Sequence, residues 1–367
     1  MGSIANADDA RPQAVSVSLQ ELKDGTVSLE TLEQAFGPAS LGIILVRDLP
    51  ENFAQLRREV LSLSSYLANL PEEELAKLEN PQAKYNVGWS CGKETLADGR
   101  FDTLKGSYYA NPIHDAALEA KARELYPSVV EMTSPNVWPA ETVLPGFERK
   151  FEALCRLIVD VAALVARSCD RYGVAKLDGY KAGTLEEIVR SSVSTKARLL
   201  HYFPPPASTS ASAPSAAEEK PDDDWCATHT DLGALTGLTS QMFVDETLHS
   251  PSLSSSSADP KPLEELPAHP DPKAGLWIRD RAGRTTQVHI PRDSLAFQTG
   301  LALQLITRGE LRAVPHFVRG GREEGEGKVA RNTLAVFTQP NLWVPVEEGK
   351  DFAKLAEEVI SKGVSGG

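Results

Sequence analysis

The triplet His229-Thr230-Asp231 and the later segment Val314-Pro315-His316-Phe317 lie in the part of the chain that decides the fold. Residues two apart on a β-strand point to the same face, so His229 and Asp231 can bind one ion together. His316 supplies a third ligand from a different predicted strand. Two imidazoles and one carboxylate therefore predict a metal site that is open on one side.

The sequence around these residues has a strand-like period from about residue 195. Many short strands with turn residues between them indicate a β-sandwich or barrel. His229 and His316 are 87 residues apart (316 − 229), which the fold tolerates because the cost of loop closure grows only logarithmically with length. The predicted strands are 197–203, 234–244, 275–279, 285–290, 294–299, 312–319 and 331–338.

Two segments interrupt this region. Residues 204–224 and 246–273 are rich in Pro, Ala, Ser and acidic residues and lack the apolar content of a packed core. We expect both to be flexible surface insertions. His249 and His269 lie in the second one, and we discount them as ligands because a mobile loop makes a poor metal site.

The chain before residue 195 is predicted to be mainly helical. Residues 1–14 form a flexible leader, 15–120 an N-terminal α/β region, and 121–367 the helical support and the catalytic core. Apolar periodicity and capping residues predict a strand at 41–46 and helices at 52–70, from 71, at 146–172 and from 184.

Candidate substrate contacts lie in residues 80–115, where Gly, Ser and aromatic residues suggest ordered, irregular loops. Such loops are either a packed surface or the wall of a substrate pocket. The candidates are Tyr85, Trp89, Lys93, Tyr108 and Tyr109. Arg198 is a further candidate, as the partner of a substrate carboxylate.

Arg331 begins the last predicted strand and shares a face with Thr333. A guanidinium and a hydroxyl can bind one carboxylate of an organic co-substrate. His201 is next to Tyr202 in an apolar run and fits a core residue or a supporting group better than a ligand. Spacing assigns no role to His114 or His289.

Composition narrows the class of protein. The net charge of −13 over 367 residues disfavours a nucleic-acid partner. Four scattered cysteines, with no CxxC pair, fit free thiols in a reducing compartment. No signal peptide and no apolar run of about 20 residues stands out, so we expect a cytoplasmic protein with no membrane partner and leave its oligomeric state open.

The segment from Gly300 to His316 resembles the distal-histidine region of the isopenicillin N synthase-like 2-oxoglutarate/Fe(II) oxygenases, which read Gly-Asp-x-Leu-Gln-x-x-Ser-Asn-Gly before the histidine. His229-Thr230-Asp231 with Leu235-Thr236 is similar to the proximal ligands and the strand after them. Leu276-Trp277-Ile278 and Gly42–Val46 match further strands in the same order.

The resemblance implies mostly β structure with flanking helices (α+β), built on a double-stranded β-helix (jelly-roll) core. It also implies Fe(II) on His229, Asp231 and His316, with 2-oxoglutarate and O2 as co-substrates. Arg331 and Thr333 would bind the C5 carboxylate of 2-oxoglutarate, as the Arg-x-Ser of the family does. The expected reaction oxidises a small molecule, with secondary metabolism as its setting, by hydroxylation, desaturation or cyclisation, and forms succinate and CO2.

The chain departs from the family pattern at three positions. Leu301 replaces the Asp after Gly, and Thr333 replaces Ser but keeps the hydroxyl. The family's Asn-x-Tyr reads His201-Tyr202-Phe203, so the phenol near the co-substrate is either missing at Phe203 or displaced to Tyr202. Asp231 is retained, which argues against a halogenase.

Two alternatives stay open at this stage. One is an oxidase of the same family that needs no 2-oxoglutarate and takes all electrons from its substrate. The other is a non-catalytic jelly-roll binding protein with a vestigial site, against which the complete set of three ligands argues.

Overall fold

The computed structural model describes residues 13–94, 101–204, 225–253, 259–269, 271–281, 283–320 and 329–361. Its strands are β1 (Val15–Ser18), β2 (Ile43–Arg47), β3 (Gly88–Cys91), β4 (Lys105–Ala110), β5 (Lys196–Tyr202), β6 (Cys226–His229), β7 (Leu235–Thr239), β8 (Met242–Asp245), β9 (Gly275–Arg279), β10 (Thr285–Gln287), β11 (Leu295–Thr299), β12 (His316–Arg319), β13 (Val329–Thr338), β14 (Pro345–Glu347) and β15 (Lys350–Asp351). Its helices are α1 (Leu19–Asp24), α2 (Leu29–Phe36), α3 (Phe53–Ala68), α4 (Glu72–Leu78), α5 (Ala116–Leu125), α6 (Val130–Thr133), α7 (Phe147–Lys176), α8 (Thr184–Ser191), α9 (Leu301–Ile306) and α10 (Phe352–Ser361).

Two facing sheets form the centre of the fold. The larger sheet has the order β1-β2-β11-β7-β13-β5-β4-β3, with β8 paired to the first half of β13. The smaller sheet has the order β10-β9-β12-β6. The pair β1–β2 is parallel, and the pairs around β13 and β12 are antiparallel. One cavity is lined by residues of both sheets. This arrangement confirms the predicted jelly-roll core with flanking helices.

Helix α7 supports the larger sheet from outside. Its apolar stripe is buried, as the sequence predicts, and Ile158 approaches β7 at Gly237. A Cβ at Gly237 would lie 2.4 Å from Ile158 Cγ2, so only glycine permits this close contact. In the part of the chain that the structure describes, no helix is both long and apolar enough to cross a membrane, although α7 has 30 residues.

The region 80–115 differs from the sequence prediction. The composition predicts irregular loops there, but the structure places β3 and β4 as an antiparallel hairpin that extends the larger sheet beside β5. All six residues of β4 are buried. The sequence of β4 does not alternate between polar and apolar residues, because the strand is covered on both faces. Polar and aromatic residues follow each other there without a clear period of two.

The second predicted insertion, 246–273, also differs from expectation, most clearly in residues 259–269 of its described part. Leu263 is buried in the core, and its carbonyl accepts a hydrogen bond from Arg58 Nε at 3.0 Å. Glu265 forms a buried ion pair with Arg57 of α3 at 2.9 Å. These residues therefore pack against α3 instead of forming a mobile surface loop. The first predicted insertion falls on residues 205–224, which lie outside the described ranges, as do residues 1–12 of the predicted leader.

Lys196, the first residue of β5, is a lysine whose effect on the free energy of unfolding can be measured. Its amine is buried and has no hydrogen-bond partner among the described residues. Burial lowers its pKa from 10.5 to about 8, and Glu131 opposes this only in part. The folded state therefore carries the full cost of a buried cation below pH 8 and none of it above pH 10.5, where the amine is neutral in both states.

We expect Lys196→Met to raise the free energy of unfolding at pH 7 by ~1–3 kcal/mol, because a buried charge is replaced by an apolar side chain of similar length. The gain should shrink as pH rises and vanish near pH ~11. Urea denaturation at both pH values measures it, with the exposed Lys77→Met as the control. A Lys196→Met protein that is no more stable than wild type at pH 7 would contradict the expectation.

Candidate active site

The three predicted metal ligands lie together at the ends of β6 and β12. His229 is the last residue of β6 and pairs with His316, the first residue of β12, so that their ring centres are 4.3 Å apart. Asp231 follows β6 instead of lying within it. One nitrogen from each imidazole and one oxygen of Asp231 lie within 4.8 Å of one another. His229 and Asp231 therefore lie together as their spacing of two predicts, although Asp231 is beyond the strand end.

The carboxylate of Asp231 has one satisfied and one unsatisfied oxygen. Oδ2 accepts a hydrogen bond from Thr236 Oγ1 at 2.5 Å. Oδ1 is buried without a hydrogen-bond partner among the described residues, and it lies 3.6 Å from His229 Nε2 and 3.7 Å from His316 Nε2. A buried anionic oxygen without a partner is costly. A divalent cation bound by these three atoms would remove that cost, so the residues fit a metal.

Hydrogen bonds at Nδ1 direct both imidazoles. His229 Nδ1 lies 2.8 Å from the carbonyl oxygen of Ala227, and His316 Nδ1 lies 2.8 Å from the side-chain amide of Gln298. The amide oxygen of Gln298 is buried and has no partner among the described residues, so exchanging the amide oxygen and nitrogen lets it accept the Nδ1 proton. Both rings then keep Nε2 free for a metal, which is the usual support of histidine ligands.

The ionisation of the site suits a cation. Burial would raise the pKa of Asp231, but His316, His229 and Thr236 lower it to about 2. Burial and the neighbouring His229 lower the pKa of His316 to about 4. Burial would also lower the pKa of His229, but Cys226 and Asp231 raise it well above its ordinary value. A metal must therefore displace a proton from His229, and metal affinity should fall as the pH falls.

Arg331 faces the same cavity from β13, opposite Tyr202 of β5. Its guanidinium carbon lies 4.8 Å from the ring centre of Tyr202 and 5.5 Å from that of Trp225. Nε donates a hydrogen bond to Gln241 Oε1 at 2.8 Å, whereas Nη1 is buried without a partner in the described chain. Burial lowers the pKa of Arg331. A carboxylate in the cavity would compensate this cation.

Thr333 and Tyr202 line the cavity with Arg331, as the sequence predicts for their faces. Phe203 points to the other side of the sheet and packs edge-on against His201 at 4.5 Å between ring centres. Of the two possibilities left by the sequence, the phenol that faces the cavity is therefore at Tyr202.

The cavity has a volume of about 140 Å³ and two kinds of wall. The metal-ligand group and Arg331 provide its polar surface. Apolar side chains from both sheets and from the residues after β10 provide most of the rest, which excludes water from the reacting region. These are Leu200, Leu238, Leu276, Val288, Ile290, Val318, Ala335 and Phe337.

Arg198 is a second buried guanidinium in the cavity wall. Nε and Nη2 donate to Ser107 Oγ at 3.1 and 2.8 Å, Nη2 also pairs with Glu94, and the group stacks on Tyr109. Glu94 pairs in addition with Lys105 at 2.9 Å. Burial would raise the pKa of Glu94, but Arg198 and Lys105 lower it to about 2. No hydrogen bond to a described residue uses Nη1 of Arg198, which leaves the two N–H groups of this nitrogen for a ligand.

The other predicted substrate residues do not line the cavity. Tyr108 is fully buried in the core and donates its hydroxyl to the carbonyl of Val137, and Trp89 packs over Gly106. Tyr85 and Lys93 contact each other, and Tyr109 acts on the cavity only through Arg198. Their role as substrate contacts therefore stays a prediction that the cavity lining does not support.

Three further histidines lie in or near the core or the cavity. His201 is buried against α3, with Nδ1 2.8 Å from Asn332 Oδ1, in line with the predicted core position. His269, which the sequence places in a mobile loop, is buried and contacts Trp225 edge-on. His289, to which spacing assigns no role, lies in the cavity wall.

Sequence reasoning missed the residues that hold the others in place. Thr236 follows Asp231 by five residues and is the first polar residue facing inwards on β7, which is a weak signal. No sequence signal marks Gln298, Gln241 or Trp225, because each contacts a residue that is well separated from it in the sequence.

Neither a protein-family model nor a curated protein matches the sequence. Solved structures do match the fold. A putative 2OG-Fe(II) oxygenase family protein from Caulobacter crescentus is 17% identical with a TM-score of 0.65, covering 96% of this chain and 99% of that chain. A full-length Neurospora crassa protein in complex with alpha-KG is 19% identical, with a TM-score of 0.62 and 98% of each chain covered. JOX2 in complex with 2OG, Fe and JA is 15% identical, with a TM-score of 0.56, covering 91% of this chain and 77% of that chain.

At these identities the likeness shows the fold, and the chain has the fold of the 2-oxoglutarate/Fe(II) oxygenases. The narrower resemblance to the isopenicillin N synthase-like members stays a prediction.

We expect Asp231→Ala to weaken Co(II) binding by at least about 100-fold, since even groups that only support metal ligands contribute 10–100-fold. Calorimetric titration of the purified, metal-stripped protein measures the affinity. His289→Ala is the matched control, because His289 lies in the same cavity wall outside the ligand group. Equal Co(II) affinity in Asp231→Ala and wild type would remove Asp231 from the metal site.

Proposed function

We propose that the protein is an Fe(II)- and 2-oxoglutarate-dependent oxygenase that oxidises a small molecule. The observation that carries this proposal is a pair of buried polar atoms in one cavity that lack a hydrogen-bond partner among the described residues. Asp231 Oδ1 faces two imidazole nitrogens, and Arg331 Nη1 lacks a partner among the described residues. A divalent cation satisfies the first and a carboxylate satisfies the second, and 2-oxoglutarate brings a carboxylate to such a cation.

His229, Asp231 and His316 would hold the iron. Bound iron, together with O2 and 2-oxoglutarate, supplies oxidation of a substrate C–H bond, with succinate and CO2 as the products of 2-oxoglutarate. Thr236 and Gln298 would fix the metal ligands Asp231 and His316, and the apolar walls of the cavity would exclude water. Hydroxylation, desaturation and ring formation all fit this site, because they share its metal chemistry.

Arg331 and Thr333 would bind the C5 carboxylate of 2-oxoglutarate. They lie two apart on β13 and both line the cavity. The guanidinium is fixed between Gln241 and the rings of Tyr202 and Trp225, so it loses little freedom when a carboxylate binds. Tyr202 stands where a phenol can contact the same carboxylate.

Arg198 would bind an acceptor group of the substrate, a carbonyl or a carboxylate. Its Nε and Nη2 are held by Ser107 and Glu94, which leaves Nη1 for a ligand. The apolar remainder of the cavity favours a compact apolar body. Similar folds bind small molecules, since the Neurospora crassa protein has been solved with thymine and JOX2 with JA. An oxidation in secondary metabolism is the setting we propose.

The first test uses Arg331 and the visible absorption of the anaerobic protein. With Fe(II) and 2-oxoglutarate, the wild type should give a weak charge-transfer band and, with O2 and a substrate, succinate. Arg331→Ala should weaken 2-oxoglutarate binding by about 100-fold, because a carboxylate loses its charged partner in a buried site.

Arg123→Ala, an exposed change on α5, is the control for this experiment. A wild type with neither band nor succinate would remove 2-oxoglutarate from the proposal. An Arg331→Ala protein that still oxidises its substrate with wild-type kinetics would favour the oxidase that draws all electrons from the substrate.

The second test concerns Arg198. In a thermal-shift screen of carboxylates and neutral carbonyl compounds with Zn(II) and 2-oxoglutarate bound, compounds that raise the melting temperature of the wild type should not do so in Arg198→Met. The charge-transfer band of the Fe(II) and 2-oxoglutarate complex should be unchanged in this variant, because Arg331 is intact. Compounds that stabilise both proteins equally would show that Arg198 does not contact the substrate.

A further inference from the structure

Gln241 is the side chain that fixes Arg331, and it sits at a break in the larger sheet. Strand β13 pairs with β7 at Ala335–Thr338 and with β8 at Val329–Asn332. Ser240 and Gln241 form the step between β7 and β8, where the sequence predicts one continuous strand. At this step the Gln241 side chain enters the cavity wall and accepts the hydrogen bond from Arg331 Nε.

The backbone of this step is held by a buried cation. Arg57 of α3 is 1% exposed, and it donates from Nη2 to the carbonyl of Gln241 at 2.8 Å and from Nε to the carbonyl of Ser240 at 3.2 Å. Glu265 binds Arg57 through two hydrogen bonds, at 2.9 and 3.0 Å. The packed segment 259–269 thereby fixes the backbone from which the Gln241 side chain projects.

The amide of Gln241 is also confined from the smaller sheet. Gly275, the first residue of β9, has φ +128°, and a Cβ there would lie 2.8 Å from Gln241 Nε2. The backbone of Gly275 therefore closes over the amide and leaves it few rotamers. A side chain with so little freedom can hold a partner in one orientation at small entropic cost.

These contacts set which edge of Arg331 is free. Gln241 occupies Nε, the rings of Tyr202 and Trp225 lie 4.8 and 5.5 Å from the guanidinium carbon, and Nη1 has no hydrogen-bond partner among the described residues. The Nη end of the guanidinium therefore keeps hydrogen-bonding capacity for a ligand. A neutral amide satisfies Nε without cancelling the charge, whereas a carboxylate at position 241 would do both.

We propose that Gln241 is a positioning residue that presents the end of Arg331 to the distal carboxylate of 2-oxoglutarate and keeps its positive charge available. The inference rests on the proposed function. It assigns the selectivity for a dicarboxylic 2-oxo acid to the pair Gln241 and Arg331, with the segment 259–269 as its support through Arg57.

The test compares two 2-oxo acids in anaerobic titrations of the Fe(II) charge-transfer band, which measures binding without turnover. 2-Oxopentanoate has the same metal-binding end as 2-oxoglutarate but a methyl group in place of the distal carboxylate. Gln241→Leu should raise the Kd of 2-oxoglutarate about tenfold, the effect of one hydrogen bond to a charged group. The Kd of 2-oxopentanoate should stay within about twofold, since Arg331 does not contact it.

Two further variants test whether Gln241 acts through Arg331. Gln241→Glu retains the shape of the side chain and should weaken 2-oxoglutarate more than Gln241→Leu, because its carboxylate competes for Arg331. The double variant Gln241→Leu/Arg331→Ala should bind 2-oxoglutarate no more weakly than Arg331→Ala alone, since both changes act on one interaction. Gln55→Leu, an exposed change on α3, is the matched control.

The outcomes separate the inference from the proposed function. A wild type that gives no band with 2-oxoglutarate would overturn the function and the inference together. A wild type that binds it, with Gln241→Leu and Gln241→Glu both unchanged in Kd, would overturn the inference alone. An equal loss of affinity for both 2-oxo acids would also overturn it, because a general structural defect does not distinguish the distal carboxylate.

Discussion

A carboxylate oxygen buried between two imidazole nitrogens is the constraint on which the rest of the site depends. Asp231 is ionised by its surroundings, yet its Oδ1 has no hydrogen-bond partner among the described residues. Such a charge is costly in a protein interior unless a cation or hydrogen bonds compensate it. The fold holds the two histidines at neighbouring positions of one ladder, since His229 pairs with His316 across β6 and β12. The pairing of the short strands β6 and β12 therefore sets the position of the two histidines relative to each other.

The larger sheet supplies the second half of the site through one strand. β13 pairs with β5, β7 and β8, so its inward face lies at the centre of the sheet and cannot shift without breaking three ladders. Arg331 and Thr333 are both on that face. The change of partner from β7 to β8 creates the step at Gln241, so the irregularity in the sheet is also the point where the guanidinium is fixed. Breaks of regular pairing often lie next to functional sites for this reason.

The sequence predicts the features of the fold and site that depend on a local pattern of residues. It does not predict the features that depend on packing between distant segments. The jelly-roll class, the grouping of His229, Asp231 and His316, and the place of Arg331 in the same cavity followed from spacing, strand period and family resemblance. The hairpin of β3 and β4 did not, because a strand buried on both faces has no alternation to detect. The segment 259–269 looked flexible by composition, but buried Leu263, the ion pair of Glu265 with Arg57 of α3 and a hydrogen bond from Leu266 N to Phe243 O of β8 hold it in place. Gln241 and Gln298 act through contacts between distant strands, which no local pattern encodes.

The charges around the cavity limit what the substrate can carry. With iron and 2-oxoglutarate bound, the charges of the metal, Asp231, the co-substrate and Arg331 would sum to zero. Arg198 and Lys105 are balanced by Glu94 and Asp102. A neutral carbonyl can therefore accept a hydrogen bond from Arg198 with all these pairs in place, whereas a substrate carboxylate must take over part of the role of Glu94. Glu94 is also bound by Lys105, so it keeps one ion-pair partner if a substrate carboxylate takes its place at Arg198. No buried charge is then left without an opposite charge beside it.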